Sequence, residues 1–294
     1  MSQASQHYSR QFGALRASLP GGGLAWLARL REEAMAEFTA TGMPSRKVED
    51  WKYTNLSSLE ATAFEPSGAS ENGVAPEALP ALIGAEHRLV FVNAHYRADL
   101  SAICVPPQGV FVGRIADVLA KDPAALADCL GQAASADGAD GLPMQALNTA
   151  MMTDGLFLRL DAGIDLASVI EIIHISQAGK APGAHFPRNL IVAGAGSHAT
   201  IVEHHIEAGS IADGAETFTN AVTEIIAGER AGIRHCKVQA EGALATHIAT
   251  LQARLAKGAS LDSFYFASGA SSRATKSAYG SRARAPIAGS TAPT

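Results

Sequence analysis

Ile248-Ala249-Thr250-Leu251-Gln252-Ala253-Arg254-Leu255 is the stretch that decides the fold class of this chain. Ala249, Leu251, Ala253 and Leu255 fall on one side of an extended backbone, with Thr250, Gln252 and Arg254 on the other. That is the period of two imposed by a β-strand. A strand of this kind is expected to bury one face and wet the other. Working outward, short apolar runs recur at 156–160, 169–175, 190–193, 199–206, 221–227, 233–238 and 261–266, bounded by Gly, Asp or Ser. The steps between them are mostly about ten to twenty residues, which leaves almost no room for helices. The pattern predicts an all-β sandwich, barrel or solenoid, without the strict sequence period of a hexapeptide repeat.

Upstream the period changes. Leu24, Leu27, Ala28, Ala34, Met35 and Phe38 share one face at helical spacing, and Arg29, Glu32, Glu33 and Glu37 share the other. Arg31 interrupts the apolar stripe and is expected to snorkel. Gly42 and Pro44 stop the helix. Residues 65–73, rich in Pro, Gly and Ser, read as an exposed loop. A strand is predicted at 88–92 and helices around 115–120 and 123–130. Asp122 is placed to cap the second of these, with Pro123 at its first position. Residues 133–141 are small and polar and read as a linker.

Composition narrows the function classes. The 294 residues are 47% hydrophobic and 17% charged, a globular balance with enough chain for a sizeable core. The net charge of −5 gives no electrostatic basis for a nucleic-acid or anionic-membrane partner. Apolar stretches are about one strand long and broken by charges, so no bilayer span is expected. The opening residues lack a basic segment followed by an apolar one, so no secretory signal is expected either. Cys104, Cys129 and Cys236 are widely spaced and odd in number, which argues against a disulfide framework and for a cytoplasmic location.

The stretch Gly42-Met43-Pro44-Ser45-Arg46-Lys47-Val48-Glu49-Asp50-Trp51-Lys52-Tyr53-Thr54-Asn55-Leu56 resembles the N-terminal signature of SufD-type proteins of the SufB/SufD family. Further blocks follow in the family's order: Leu89-Val90-Phe91-Val92-Asn93, then Ala146-Leu147-Asn148-Thr149-Ala150, then Asp154-Gly155, then Phe186-Pro187-Arg188-Asn189-Leu190. In the fourth, Phe186 stands where the family usually has histidine, and His185 lies one place earlier. Val202-Glu203 and Val238-Gln239-Ala240-Glu241 also match, so the resemblance runs from about residue 10 to 273.

The resemblance implies a mainly β protein: a helical N-terminal region followed by a right-handed parallel β-helix, incomplete at its C-terminal end. The implied divisions are an N-terminal helical region at 1–62, a mixed connecting region at 63–145, a β-helix core at 146–273 and a disordered tail at 274–294. It also implies a non-enzymatic scaffold subunit of the SUF iron–sulfur assembly system, acting with a SufB-like subunit and the SufC ATPase. The chain's lack of G-x-x-x-x-G-K-[ST] agrees that it is not the ATPase itself. The match fades after Ser271-Ser272-Arg273, short of the family's later strands and the C-terminal helical domain that docks on SufC. The tail is therefore expected to be disordered, with a frameshift as its candidate origin and a natural short variant as the alternative. An uncovered strand edge near 261–266 is expected to favour self-association or a homodimer.

No catalytic, cofactor-binding or metal-ligating residue is assigned. The three cysteines form no C-x₂-C group, so no iron–sulfur cluster is expected to be held stably by this chain, the cluster being handled by the complex. His235-Cys236 and His204-His205 are neighbours on predicted strands, where successive side chains face opposite ways. Cys236 reads as a buried structural thiol. Glu203, Glu207 and Glu241 are the only hint of the alternative, a β-helix carbohydrate-active enzyme, which needs two carboxylates across a cleft. They read instead as single solvated acids at strand ends. A nonfunctional truncated product is the other alternative. Trp51 and Tyr53 are expected to anchor the N-terminal helix on the core.

Overall fold

The computed structural model describes residues 2–46, 48, 51–52, 54, 56–69, 74, 79–80, 83–133, 143–208, 215–269, 272–281 and 287–291. Three helices open the chain: α1 (Gln3–Leu15), α2 (Ala25–Thr41) and α3 (Ser57–Ala61). A mixed segment follows, with β1 (Glu65–Pro66), β2 (His87–Val92), β3 (His95–Tyr96), β4 (Ala102–Ile103) and β5 (Val110–Arg114). It continues through α4 (Ile115–Lys121), α5 (Ala124–Ala127) and α6 (Pro143–Met151). From there the described elements are all strands: β6 (Leu156–Leu160), β7 (Asp165–Gln177), β8 (Gly183–His185), β9 (Arg188–Ala193), β10 (His198–Ala208) and β11 (Thr217–Ala227). The last are β12 (Gly232–Glu241), β13 (Ala245–Leu255), β14 (Ser260–Gly269), β15 (Ser272–Ser281) and β16 (Ile287–Thr291).

These strands alternate between two parallel sheets. One runs β6, β9, β11, β13, β15, with the short β8 also on β11 and β5 closing the far side antiparallel to β6. The other runs β7, β10, β12, β14, β16, with β2 parallel to β7. Among the described residues, the passages from the first sheet to the second are four-residue corners, at 161–164, 194–197, 228–231 and 256–259. The third residue of every corner is left-handed: Gly163 (φ 77°), Gly196 (φ 67°), Arg230 (φ 57°) and Gly258 (φ 72°). Glycine suits that conformation, having no Cβ to collide with the following carbonyl. The corners stack by backbone bonds, Gly163 N–H to Ala195 O (2.8 Å), Gly196 N–H to Glu229 O (2.7 Å) and Arg230 N–H to Lys257 O (3.1 Å).

The facing sides of the two sheets form the core. Leu156, Leu158, Ile191, Ile225, Ala253 and Leu255 from the first sheet meet Ile170, Ile172, Ile201, Ile233 and Leu261 from the second. The outer side of the first sheet is covered by helices. Arg31 on α2, Gln145 and Asn148 on α6, and the chain at 131–133 all reach it or its connections. Trp51 is buried with Tyr8, Phe12, Phe38, Phe186 and Phe218, so it anchors the helical layer as expected, and Tyr53 lies outside the described residues.

Four expectations change. Thr250 and Gln252 are buried rather than wet, because α6 lies over that face and Gln145 bonds Gln252; only Arg254 is exposed. Arg31 does not snorkel: its Nη2 donates to the carbonyls of Pro20 and Met152 (3.0 and 3.1 Å), and burial lowers its pKa to about 10. Asp122 ends α4 rather than capping α5, its N–H bonding to Val118 O. Finally, 272–281 and 287–291, within and beside the stretch read as a disordered tail, are strands β15 and β16. They pair with Thr246–Leu255 and with Ser263–Ala267, so the edge expected to lie open near 261–266 is covered. Ladder bonds run between backbones, so pairing does not require the side-chain alternation that this stretch lacks. Residues 134–142, 282–286 and 292–294 lie outside the described residues.

Candidate functional site

The core between the sheets is split lengthwise by chemistry. Beside the four-residue corners it is apolar. Toward the opposite connections the inward positions become polar: His174 and Ser176 on β7, Glu203 and His205 on β10, and His235, Lys237, Gln239 and Glu241 on β12. From the first sheet they meet Asn189, Thr219, Thr223 and His247. Strand periodicity makes each set, since residues two apart share a face. Ladder register then stacks them, placing His174 beside His205 and Glu203 beside Lys237.

Two carboxylates organise this region. Glu203 Oε1 lies 2.6 Å from His205 Nε2, and its Oε2 accepts from His235 Nε2 (3.0 Å) and the Thr223 hydroxyl (3.0 Å). Burial pushes the Glu203 carboxyl up, but the bonds from His205 and His235 outweigh it and hold it well below the usual carboxylate range. Glu241 Oε1 accepts from Ser176 and Thr219 (3.1 and 3.0 Å), and Oε2 accepts from Gln239 (3.1 Å). His247 Nδ1 stands 2.7 Å from Oε2. Burial again raises the Glu241 carboxyl, and His247, followed by His205, holds it far lower.

The nitrogen bases answer in kind. Burial takes His205 down to about 4 and His174 to about 3, so both imidazoles are neutral at pH 7. Burial also takes Lys237 down to about 8, with Glu203 and Glu241 working against it. Lys237 Nζ contacts His247 Nε2 at 2.7 Å and sits 5.5 Å from the centre of the Tyr265 ring. The His174 and His205 rings stack (4.9 Å between centres, 25°), whereas His205 and His247 meet edge to face (4.6 Å, 73°). Among the described residues two groups have the donors and spacing to hold a metal ion: His174, Glu203, His205 and His205, Glu241, His247.

Against the sequence expectations, Glu203 and Glu241 are not solvated acids at strand ends. Both are fully buried, because the wetter-looking face of their strands is the inner one. Neither lines a cleft, which removes the ground for pairing them across a sugar. Glu207 is half-buried beside them. His235 and Cys236 do face opposite ways, and Cys236 is half-buried on the outer side rather than fully buried. His204 and His205 likewise diverge, His204 lying outside against Glu171 (3.2 Å). Lys237, His247 and His174 were not singled out from sequence. The signal that could have found them is the period-two spacing of ionisable side chains in Glu203-x-His205 and His235-x-Lys237-x-Gln239-x-Glu241.

The motif around Arg188 has a structural role. Its guanidinium is buried and donates to Glu224 through Nε (2.9 Å) and Nη2 (2.5 Å), and through Nη1 to Asn148 (2.9 Å) and Thr149 (3.2 Å). Asn148 Nδ2 donates to the carbonyls of Pro187 and Asn220, tying α6 to two strands. Asn189 Oδ1 accepts from Leu156 N–H.

Fold and site together define a parallel two-sheet core protein with an ionisable interior and a helical layer on one side. Two family descriptions match it in chain order: "SufBD protein N-terminal region" over residues 2–172 and "SUF system FeS cluster assembly, SufBD core domain" over 174–285. The chain belongs to the SufBD family. It is 29% identical over 238 residues to an iron–sulfur cluster assembly SufBD family protein of Synechocystis, covering 76% of this chain and 50% of the relative. It is 28% identical over 238 residues to the iron–sulfur cluster assembly protein SufD of Escherichia coli, covering 80% and 51%. The chain thus spans about half the length of the curated relatives it matches. Among the described residues, no helix is long and apolar enough to cross a membrane.

Proposed function

We propose that this chain is a scaffold subunit for iron–sulfur cluster assembly in the SUF system, working in the cytoplasm with a SufB-like subunit and a SufC-like ATPase. The observation that carries the reading is the succession of the N-terminal and core SufBD regions along nearly the whole chain. On this reading the two alternating parallel sheets are the turns of a right-handed β-helix, the hand that parallel crossover connections favour. The chain itself is not an enzyme: its two interior carboxylates are enclosed and engaged by histidines and hydroxyls. It also holds no stable cluster alone, since Cys104, Cys129 and Cys236 are widely spaced in the chain and form no C-x₂-C group of thiolates. The cluster is cargo of the complex.

The test is co-expression of the untagged chain with affinity-tagged SufB-like and SufC-like proteins, followed by capture and size exclusion. The expected result is co-elution of all three in one peak. Elution of the chain by itself, with the other two retained together, would overturn the proposal.

A further inference from the structure

We propose that His205, Glu241 and His247 form a binding site for one divalent transition-metal ion of the Fe²⁺ or Zn²⁺ kind, enclosed between the two sheets. The site rests on geometry in this chain, whether or not the chain works in cluster assembly.

The first support is donor placement. One ring nitrogen from each histidine and a Glu241 oxygen lie within 4.8 Å of one another, and all three residues are buried. The His205 and His247 rings meet edge to face at 73° and are not stacked on one another. His174, a donor of the neighbouring group, stacks on the His205 ring and lies outside this donor set.

The second support is what lacks a partner. His205 Nδ1 is buried and makes no hydrogen bond among the described residues, and His247 Nδ1 is buried with the Glu241 carboxylate beside it. His247 Nδ1 stands 2.7 Å from Glu241 Oε2 without the alignment of an N–H···O bond. Unpartnered ring nitrogens are uncommon in a dry interior. An ion between them and the carboxylate satisfies both.

The third support is charge. Glu203 and Glu241 face a single ammonium, Lys237, in this region. One negative charge is left over in an enclosure where a lone carboxylate is costly. A divalent cation cancels both carboxylates when Lys237 gives up its proton to solvent on loading. The surrounding residues also have the layout of a supporting layer: Ser176, Thr219 and Gln239 fix the carboxylate, and Lys237, as the neutral amine, accepts the Nε2–H of His247. Two imidazoles and one carboxylate form the donor set of iron(II) and zinc sites, not of magnesium or calcium.

Because the site is enclosed, loading accompanies folding. The untagged full chain is unfolded in urea and refolded anaerobically with Co²⁺, with Mg²⁺ or with EDTA, then desalted. Co²⁺ serves as a visible stand-in for Fe²⁺ and Zn²⁺. The expected result is about one Co²⁺ retained per chain, with ligand-field bands that Zn²⁺ abolishes. The urea midpoint should rise with Co²⁺ and stay unchanged with Mg²⁺. His247→Ala and Glu241→Gln should each cut retained Co²⁺ by about tenfold or more, and His174→Ala should keep it. Circular dichroism in EDTA identifies any variant that fails to refold. For such a variant, the wild-type midpoint shift decides. Folded wild type that retains no Co²⁺ and shows no shift would overturn the proposal, as would full retention by folded His247→Ala.

Discussion

Replacing Arg188 by methionine removes a cation from a fully enclosed ion pair, and the structure sets the size of the effect. Glu224 loses two guanidinium bonds and keeps only the backbone N–H groups of Gly131 and Ala133 (3.0 and 3.2 Å). Leaving one partner of a buried pair uncompensated costs about 3–5 kcal/mol. Asn148 Oδ1 and Thr149 Oγ1 lose a donor as well, adding about 1 kcal/mol. Arg188→Met should therefore destabilise by about 4–6 kcal/mol. Urea unfolding followed by far-UV circular dichroism measures it. Removing the second charge should restore most of the loss, because the desolvation cost then disappears with it. Arg188→Met combined with Glu224→Met should lie within about 2 kcal/mol of wild type. A single-variant loss under about 1 kcal/mol, or a double variant no better than the single, would refute the reasoning.

Acid should weaken the fold through its buried histidines. Burial lowers His174 to about 3 and His185 to about 4, so these rings stay neutral in the folded chain while the unfolded chain protonates them below pH ~6.5. Stability is then lost as pH falls from ~6.5 toward 4, at about 1.4 kcal/mol per pH unit for each ring. Asp154, raised to about 6 by burial, works the other way below pH ~6, so Asp154→Asn should steepen the loss there. A urea midpoint that is flat or rises from pH 7 to 5 would contradict this. Arg230→Gly should stabilise by about 0.5–1 kcal/mol, since Arg230 alone among the four corner residues is not glycine yet has φ 57°, and its side chain is exposed. A lower melting temperature for that variant would show that the side chain contributes more than the strain costs.

The strands were legible in sequence because Gly, Asp and Ser punctuate apolar runs, and each of the eight runs lies inside a strand of the structure. What alternation could not say is which face looks inward. In Thr250 and Gln252 the polar face is buried under α6, and in Glu203 and His205 it is the core itself. Reading polarity as exposure therefore put the candidate site on the surface. His205 comes near Glu241 through the pairing of β10 with β12, and His247 faces them from the other sheet, neither of which a single strand's pattern encodes. The SufBD motifs were legible for a different reason. Their fixed side chains, Arg188 and Asn148 among them, hold specific partners and so keep recognisable spacing.

The stacked corners and the opposite connections place different demands on the chain. The four described corners are each four residues long and stack by backbone bonds, so an added residue in one of them would break the register of the following strand. On the far side the connections vary, with five residues at 178–182, eight at 209–216 and three at 242–244. Length can drift on that margin without moving either sheet. It is the same margin that borders Glu203, Glu241 and their histidines. New segments acquired by such a chain would therefore arrive beside its reactive interior, leaving the apolar spine untouched.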